Sequence, residues 1–505
     1  MDMTNKKRIS LATLVLMILS TAFGLVNSTN AFYQMGYASI IWYIIGALTF
    51  FLPSSLMFAE YGSALSKYNG GMYSWMKVAV NEKFAFIGTF IWLCAWVMTL
   101  IDIAPNQWIT FSTMIFGKDE TTSWSIFGLN PTETVGILSI ALMVVSTLFA
   151  VNGLKSIEWM ASVGGVLSII VVGLFAGLSV IMIFLNHGQL AQPITSYKDF
   201  LISPNPAFKS PVSIMSFIVY AIFAYAGVES ISGVIDKLHN PAKTFPRGVM
   251  ISTVVMTISY SVCIFLCGYS INWSKTLSGS SVTLGNVMFV IMGNLGFALG
   301  HAMGLSAGMT NELGIWLVRF TGFATFLSGV GEVFVLLYSP LKSFILGSSK
   351  RLWPKKIIKL NKHGMPANAM WIQCAVMVFI LFFTTFGGSG AQKFYTILTD
   401  MNNVSSSFQY IFIVGAFPMF KKIKDLNRPF NFYNKPWKTW TGTSIVMAAL
   451  LFGIIFNFIQ PMMQHDYQTT FWTFFGPVLF GGGSWLFYEI DIHVRKIHPD
   501  EDEAI

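Results

Sequence analysis

The chain has 505 residues, of which 54% are hydrophobic and only 10% are charged, and its mean hydropathy is +0.63. This composition excludes an ordinary soluble domain, in which about a quarter of the residues are charged. The net charge of +9 does not indicate nucleic-acid binding, because the basic residues concentrate in the connections on one side of the apolar segments.

Twelve apolar segments are long enough to cross a membrane, since a spanning helix needs about 20 mostly apolar residues. They are predicted at 9–36, 39–65, 84–116, 132–151, 158–186, 211–235, 247–270, 311–338, 367–387, 394–420, 439–460 and 470–488. The sequence therefore predicts an all-α polytopic membrane protein. The N-terminal stretch, the inner connections and the tail carry 25 of the 31 Lys and Arg residues. This asymmetry predicts that both termini are cytoplasmic.

The apolar segment 281–305 is a special case. Counting it as a span would place the basic run between Lys342 and Lys362 outside the cell, against this charge asymmetry. We therefore predict an external helix that lies over the entrance. Its glycines recur every four residues, at Gly296, Gly300, Gly304 and Gly308. Such a ridge suits close packing on a neighbouring helix, and both a gate and an inert cap explain it.

Two of the predicted spans are interrupted at their centres. The first carries Gly24 and Asn27, and the sixth carries Gly227 and Glu229. A break at mid-membrane frees backbone N–H and C=O groups that hydrocarbon cannot satisfy, so it is tolerated only against protein or a cavity. Paired breaks at corresponding places in two halves are typical of a secondary transporter built from inverted repeats, with its substrate at the breaks.

The sequence carries no convincing motif for covalent chemistry or nucleotide binding. Its G-x-S-x-G match, Gly304–Gly308, lies on the glycine ridge and lacks the strand–turn–helix setting of a nucleophile elbow. The sequence contains neither a P-loop nor an H-E-x-x-H motif, and we predict no enzyme activity, no cofactor and no metal site. The inner connections are too short for a nucleotide-binding domain, the longest being 339–366. Transport must therefore draw on a gradient or on exchange, unless a separate subunit supplies ATP hydrolysis.

Several motifs resemble those of the amino acid–polyamine–organocation (APC) superfamily. The motifs are Glu60–Leu65 with Gly70–Trp75 in and after span two, Gly227–Ser230 with His239–Gly248 in and after span six, and Gly364–Ala369 at the start of span nine. Within the superfamily, Gly24–Asn27 and a long span eight that carries Arg319 and Glu332 resemble the glutamate/GABA antiporter branch, including its YjeM-like members.

The resemblance implies a LeuT-like fold with discontinuous spans one and six. Residues 1–186 would form the first inverted repeat (spans one to five), 211–420 the second (spans six to ten), 439–488 two peripheral spans, and 489–505 a short cytoplasmic tail. It further implies a secondary active amino acid transporter of the bacterial cytoplasmic membrane, a permease or exchanger that works by alternating access. Proton coupling is open, and the alternatives are a cationic amine or polyamine exchanger and a transporter-like amino acid sensor.

The partners follow from this interpretation. They are a small amino acid or amine and the membrane lipid, with no nucleic acid, and a homodimer is an open alternative to the monomer.

In this fold the breaks bind the substrate through the backbone. Free N–H groups at Gly24, Leu25, Val26 and Asn27 would receive the α-carboxylate, because a helix N-terminus favours an anion. Carbonyls of Phe223 and Ala226, beside Gly227, would accept the α-ammonium. The alternative for both glycines is close packing of helices.

Glu229 and the nearby aromatic residues are predicted to act in gating. An ionised carboxylate is costly in hydrocarbon, so Glu229 can couple proton movement to transport by holding and releasing a proton. The alternative is a neutral acid that ties spans together. Tyr225 and Phe223 flank the break, where a ring can close over the substrate or fill the core.

Three further charged residues lie inside predicted spans. Asp102 in span three can pair with a cationic substrate or with Arg319, and both options stay open. Arg319 and Glu332 are thirteen residues apart, which is about 220° around a helix, so they cannot neutralise each other.

Sodium coupling is not the favoured interpretation. A LeuT-like sodium site needs hydroxyls from span eight, where Thr325 and Ser328 are available. Residues 158–186 contain no Lys or Arg, so the lysine that replaces the cation in some sodium-independent relatives is absent. The coupling ion stays open.

Overall fold

Helices account for the apolar segments in chain order. The structure is a computed structural model that describes residues 8–68, 70–279, 282–388 and 407–497, without the side chains of Phe223, Arg351 and 491–497. The helices are α1 Leu11–Ala22, α2 Leu25–Met35, α3 Ser39–Gly46, α4 Leu52–Ala64, α5 Gly71–Ala79, α6 Glu82–Phe116, α7 Pro131–Ala150, α8 Leu154–Leu185, α9 Pro211–Phe223, α10 Pro241–Ser270, α11 Val287–Ala302, α12 Ala307–Gly347, α13 Lys355–Ile358, α14 Ala367–Phe386, α15 407–422, α16 Pro436–Met463 and α17 Tyr467–Ile497.

The prediction of an all-α, multi-span fold is confirmed. Eight helical stretches of the described residues are long and apolar enough to cross a membrane, and the first of them, Leu11–Ala64, contains predicted spans one and two. The shorter apolar helix Pro211–Ile222 is the first half of predicted span six. Predicted span ten lies partly outside the described residues. The division into two five-helix repeats stays a prediction.

Local sequence fixes where several helices begin. The side chains of Ser10, Asn81, Asn130 and Ser210 each accept a hydrogen bond from a backbone N–H in the first turn of the helix that follows. At Asn130 the cap is reciprocal, because Glu133 accepts from the backbone N–H of Asn130. These caps satisfy donors that a helix start leaves without an intrahelical partner.

The segment that was predicted to be external forms a helix that is too short to span. The 16 residues of α11 reach about 24 Å at 1.5 Å per residue, less than the hydrocarbon thickness of about 30 Å. Gly296 and Gly300 face α12, where a Cβ would come within 2.9 Å of Gly314 Cα and 3.0 Å of Thr310 Cα. The predicted ridge ends there, because Gly304 lies in a turn with φ +69° and a new helix follows.

The longest helix, α12 with 41 residues, packs against α6 and α8. Glycines allow the close approach: a Cβ on Gly322 would lie 2.6 Å from Met114 N of α6, and one on Gly331 would lie 2.8 Å from Met160 O of α8. The helix continues past the predicted end of span eight at residue 338. Lys342, predicted to lie in an inner loop, is instead a buried residue of this helix.

Candidate functional site

The first helix break separates α1 from α2. Phe23 and Gly24 are extended, and α2 begins at Leu25 without a side-chain cap. The first N–H groups of a helix have no acceptor within the helix. Here the N-cap residue is a glycine, which has no side chain that could accept a hydrogen bond from them. The N–H of Asn27 donates to Gly24 O at 3.2 Å, so it is the N–H groups of Leu25 and Val26 that are available to an anionic group. The last carbonyls of α1 face the same gap with the opposite dipole.

The second break follows α9. A turn at 224–227 leads into a 3-10 helix, Val228–Lys237, and Gly227 adopts φ +120°. The N–H of Gly227 donates to Glu229 Oε2 at 3.1 Å, and the hydroxyl of Ser230 donates to Gly227 O at 2.5 Å. A Cβ on Gly227 would lie 3.1 Å from Thr21 O and from the Ala22 Cβ, so this turn packs directly on the end of α1.

Tyr260 of α10 joins the two breaks, and sequence reasoning missed it. Its hydroxyl lies 3.1 Å from the carbonyl oxygens of Ala22 and Ala224 and accepts a hydrogen bond from Asn27 Nδ2 at 3.0 Å. The residue is fully buried. The sequence does contain a signal for this role, since it places a tyrosine in the middle of an apolar span. A buried phenol hydroxyl needs a hydrogen-bond partner.

We expect Tyr260→Phe to lower substrate transport about tenfold to a hundredfold. Leaving buried polar groups without a partner costs about 1–3 kcal/mol, and here the groups are carbonyls and an amide at both breaks. Uptake into proteoliposomes measures the effect. Tyr269→Phe, on the same helix and less buried, is the control and should transport normally. Equal uptake by both variants would show that the hydroxyl does not organise the breaks.

A cavity of about 720 Å³ lies between the breaks. Its wall is formed by the end of α1 and the start of α2, by Ala224 and Ala226 after α9, by one face of α6, and by Thr325, Ser328, Gly329 and Glu332 of α12. Leu284 and Gly285, just before α11, border it on one side. The volume falls within the range of roughly 300–1,000 Å³ that is usual for small-molecule sites.

The structure brings five of the predicted site residues to this cavity: Gly24, Val26, Asn27, Ala226 and Glu332. The substrate roles predicted for them stay predictions. Leu25 lines a second, smaller cavity of about 40 Å³, together with Gly24 and Val26 and with Ser168, Thr325 and Ser328. The hydroxyl groups of Ser168 and Ser328 lie 2.6 Å apart. A space of this size suits one water or one small ion.

Glu229 lies behind the turn and not on the cavity wall. It is 1% exposed, and its Oε2 accepts from the Gly227 N–H, whereas its Oε1 is buried without a hydrogen-bond partner among the described residues. Gly227 likewise belongs to the turn and does not contribute to the wall formed by the described residues. Both residues hold the shape of the second break, one by its conformation and the other by its hydrogen bond.

Of the two aromatic residues predicted to form a gate, Tyr225 does not lie at a gate position. Tyr225 is buried in an aromatic group, where its ring stacks on Phe51 at 4.6 Å between centroids and its hydroxyl donates to Tyr43 O at 3.3 Å. This position matches the core-filling alternative. The side chain of Phe223 lies outside the described part of the structure, and only its place at the end of α9 is given.

The remaining charged candidates do not lie at the cavity. Arg319 lies beside Gly117 at the end of α6 and over the ring of Trp316, with its Cζ 5.3 Å from the ring centroid. Asp102 is half-buried in α6, fifteen residues and about 22 Å before Gly117 along the helix. Asp102 therefore does not pair with Arg319. Its side chain is not part of the cavity wall among the described residues.

The bundle is closed at the end that carries Ile9, Lys83 and Glu489, which we call the terminal end. Here Lys342 of α12 donates to Asp236 Oδ1 at 2.6 Å and to Gly233 O at 2.7 Å. The two charged side chains are 4% and 10% exposed. Ile9 pairs with the chain after the 3-10 helix through backbone bonds to Lys237 and His239. This buried ion pair was missed because the sequence placed Lys342 in a loop.

The motif residue Glu60 also serves closure of the terminal end. It is fully buried and accepts hydrogen bonds from Lys421 Nζ at 2.6 Å and from Tyr433 N at 2.5 Å. It thereby ties α4 to α15 and to the chain before α16. Gly62, two residues on, leaves room for the ring of Phe245, which a Cβ would meet at 2.2 Å.

Comparison with known proteins agrees with the geometry. The family model "Amino acid permease" matches residues 9–482. The chain is 42% identical over 475 residues to the inner membrane transporter YjeM of Escherichia coli, covering 94% of each chain. It is 24% identical to a glutamate/gamma-aminobutyrate antiporter of Lactococcus lactis over 85% of this chain and 80% of that protein. It is 21% identical to the aspartate/glutamate permease AcaP of Lactococcus lactis over 93% and 91%. The chain therefore belongs to the amino acid permease family of the APC superfamily and is a multi-pass membrane transporter.

Proposed function

We propose that the protein carries an amino acid or a related amine across the cytoplasmic membrane by alternating access, with the substrate bound between the two helix breaks. The observation that carries this proposal is the cavity bordered by both breaks, in which the start of α2 and the end of α1 offer opposite dipoles to a carboxylate and an ammonium group.

Gly24 supports backbone recognition. Its φ of −155° is open to any residue, and a Cβ there would meet only Val26, at 3.4 Å from its Cγ1. Neither conformation nor packing within the chain requires a glycine at this position. The missing side chain instead leaves the N–H groups at the start of α2 open to the cavity, which suits close approach of a ligand.

The conformation supports one half of an alternating-access cycle. The cavity extends from the breaks toward Leu284 and Gly285 at the end opposite the terminal end, whereas the Lys342–Asp236 pair closes the terminal end. With both termini in the cytoplasm, as the Lys and Arg distribution favours, the substrate would be accessible from outside. The surrounding lipid and a second copy in a homodimer are the further partners in this proposal.

Uptake of labelled compounds into proteoliposomes tests the function. The panel should contain the amino acids and their decarboxylation products, including glutamate, γ-aminobutyrate and aspartate, which the relatives' names contain. Vesicles are used empty or preloaded with the same compound. Flux only into preloaded vesicles means an exchanger, and flux into empty vesicles means a permease. Binding without flux of any compound would contradict transport and favour a sensor.

We expect Glu229→Gln to lose uptake driven by an imposed pH gradient, at least about tenfold, while exchange persists. Glutamine keeps an acceptor for the Gly227 N–H but cannot release a proton, so the turn is retained and the coupling is lost. Gradient-driven uptake and exchange are measured in the same vesicles. Unchanged pH-driven uptake would exclude Glu229 as the coupling group. Stimulation by a sodium gradient alone would direct attention to the cavity at Ser168, Thr325 and Ser328.

A further inference from the structure

A groove of about 570 Å³ lies on the side of the helix bundle, where α7 and α8 meet α12, and we call it the lateral groove. Its wall is mostly apolar and includes Val145 and Phe149 of α7, Trp159 of α8, and Phe326 and Phe334 of α12. Val145, Phe149 and Trp159 are 47%, 54% and 64% exposed, so the groove opens sideways. In a multi-pass membrane protein such an opening faces the lipid.

One end of the lateral groove is at the terminal end and carries Lys155. This residue is the second of α8 and lines the groove. Gly153, just before α8, packs on the connection that follows α12, where a Cβ would lie 3.4 Å from the His363 Cβ. The same connection reaches α17 near the terminal end, because Trp353 stacks on Phe487 at 6.0 Å between ring centroids. With the terminal end in the cytoplasm, as the Lys and Arg distribution favours, Lys155 lies at the level of the cytoplasmic head groups.

The depth of the lateral groove matches one leaflet of a membrane. Phe334 follows Phe326 by eight residues of α12, which is about 12 Å at 1.5 Å per residue, and Phe334 is the residue nearer the terminal end. One leaflet contributes half of the hydrocarbon thickness of about 30 Å. The groove can therefore take an acyl chain that begins at the head-group level and ends near the middle of the membrane.

The charges at the mouth of the lateral groove favour an anionic head group. Lys155 is exposed, and no described residue forms an ion pair with it. Lys362 and His363 lie beside the same mouth, because the side-chain amide of Asn361 donates to the backbone of the turn before α8 at 2.7 Å. The acidic Glu158 of α8 is not among the described residues that line the groove. A lysine stem can cover apolar surface while its ammonium stays among the head groups.

We infer that the lateral groove binds an acyl chain of an anionic phospholipid from the cytoplasmic leaflet, with the phosphate of its head group at Lys155. The inference does not depend on which substrate the protein carries. A lysine near the membrane surface favours an anionic lipid about fivefold. Leu327 and Val330 line the groove on the same helix whose Ser328 and Gly329 line the central cavity, so the bound chain would support the cavity wall from behind.

Fluorescence quenching tests the inference at this groove. The purified full chain in neutral detergent is titrated with phosphatidylglycerol or phosphatidylcholine that carries a brominated acyl chain, since bromine quenches a nearby tryptophan. The signal of Trp159 is the difference between each protein with and without Trp159→Phe. We expect half-maximal quenching at a lipid mole fraction about fivefold lower for phosphatidylglycerol than for phosphatidylcholine. This preference should shrink in about 0.5 M NaCl, because salt screens exposed charges.

Variants of two lysines complete the test. Lys155→Gln should bring the two mole fractions together, whereas Lys155→Arg should keep the preference for phosphatidylglycerol. Lys243→Gln is the matched control, because Lys243 is also exposed in the first turn of a long apolar helix at the terminal end and is not among the described lining residues. It should keep the wild-type preference. Size-exclusion chromatography identifies a misfolded variant.

Three results would overturn the inference. The first is equal quenching of Trp159 by the two lipids in the wild type, which would mean that the head-group charge is not recognised. The second is the same loss of preference in Lys155→Gln and Lys243→Gln, which would mean that the overall charge of the surface acts and not this groove. The third is the absence of Trp159 quenching by either lipid, which would mean that no acyl chain enters.

Discussion

Replacing Gly227 with alanine is expected to reduce transport at least about tenfold and to lower the thermal stability of the protein. The residue adopts φ +120°, where any L side chain is strained by about 1–3 kcal/mol. The added Cβ would also lie 3.1 Å from Thr21 O and from the Ala22 Cβ. Both effects act on the contact between the second break and the end of α1, which shapes the cavity. Proteoliposome uptake and thermal unfolding of the purified protein measure the two losses.

Gly173→Ala is the control for this substitution. Gly173 lies in α8, and a Cβ there would meet no described residue within 4 Å. Transport should match the wild type, and stability should match or slightly exceed it, because alanine favours a helix over glycine. Transport by Gly227→Ala at the rate of Gly173→Ala would mean that the turn is not under the constraint described above.

Asp236→Asn is expected to destabilise the closed terminal end. The substitution leaves the ammonium of Lys342, which is 4% exposed, without its carboxylate. Removing one partner of a buried pair costs about 3–5 kcal/mol, enough to shift the equilibrium constant between closed and open conformations at least about a hundredfold toward the open one. Uptake should fall accordingly, and the unfolding temperature of the purified protein should drop.

A double variant and a surface pair provide the controls. Asp236→Asn combined with Lys342→Met removes both charges and should recover much of the stability, because no unpaired charge remains. Lys77→Met removes a pair with Glu82 whose side chains are 44% and 29% exposed, and it should cost no more than about 1 kcal/mol. If the single variant Asp236→Asn were as stable as Lys77→Met, the pair would not hold the terminal end closed.

Hydrophobic length was enough to predict the spanning helices of the described residues, and the shortness of α11 agrees with its exclusion from the spans. These features depend on the free energy of placing residues in hydrocarbon, and the amino-acid composition of a short sequence window reflects that free energy well. The external position of α11 stays a prediction. The glycine ridge of that segment was half right: Gly296 and Gly300 pack on α12, whereas the helix ends at Ala302 before Gly304. A repeat of four residues does not reveal where a helix stops.

The glycines at the two helix breaks have different structural roles, which the sequence alone does not distinguish. Gly24 and Gly227 were both predicted to interrupt their spans and to lie at the substrate site. Gly227 is required by a positive φ and a close contact, whereas Gly24 is extended and uncrowded. The difference lies in backbone conformation, which a glycine in the sequence permits but does not specify.

Contacts between distant segments were the main omission. The hydroxyl of Tyr260 contacts Ala22, Asn27 and Ala224. Two of these residues, Ala22 and Asn27, are more than 200 positions away in the sequence. Lys342 meets Asp236 across 106 residues. The charge of Lys342 led to its prediction in a loop, and Arg319 was a possible partner of Asp102. Both followed because the sequence gives the charge of a residue but not its position along the membrane normal. Glu332 was predicted as a site residue, and the structure adds that it lies on the cavity wall.

Binding of the substrate between the two breaks is tested by counterflow of the labelled substrate in vesicles that hold either the wild type or Ala226→Phe. Ala226 lines the cavity between the breaks, and a phenyl ring there would occupy the space assigned to the substrate. We expect exchange by the wild type and its loss, at least about tenfold, in the variant, which should elute as a folded protein. Wild-type counterflow by Ala226→Phe would contradict binding of the substrate between the two breaks.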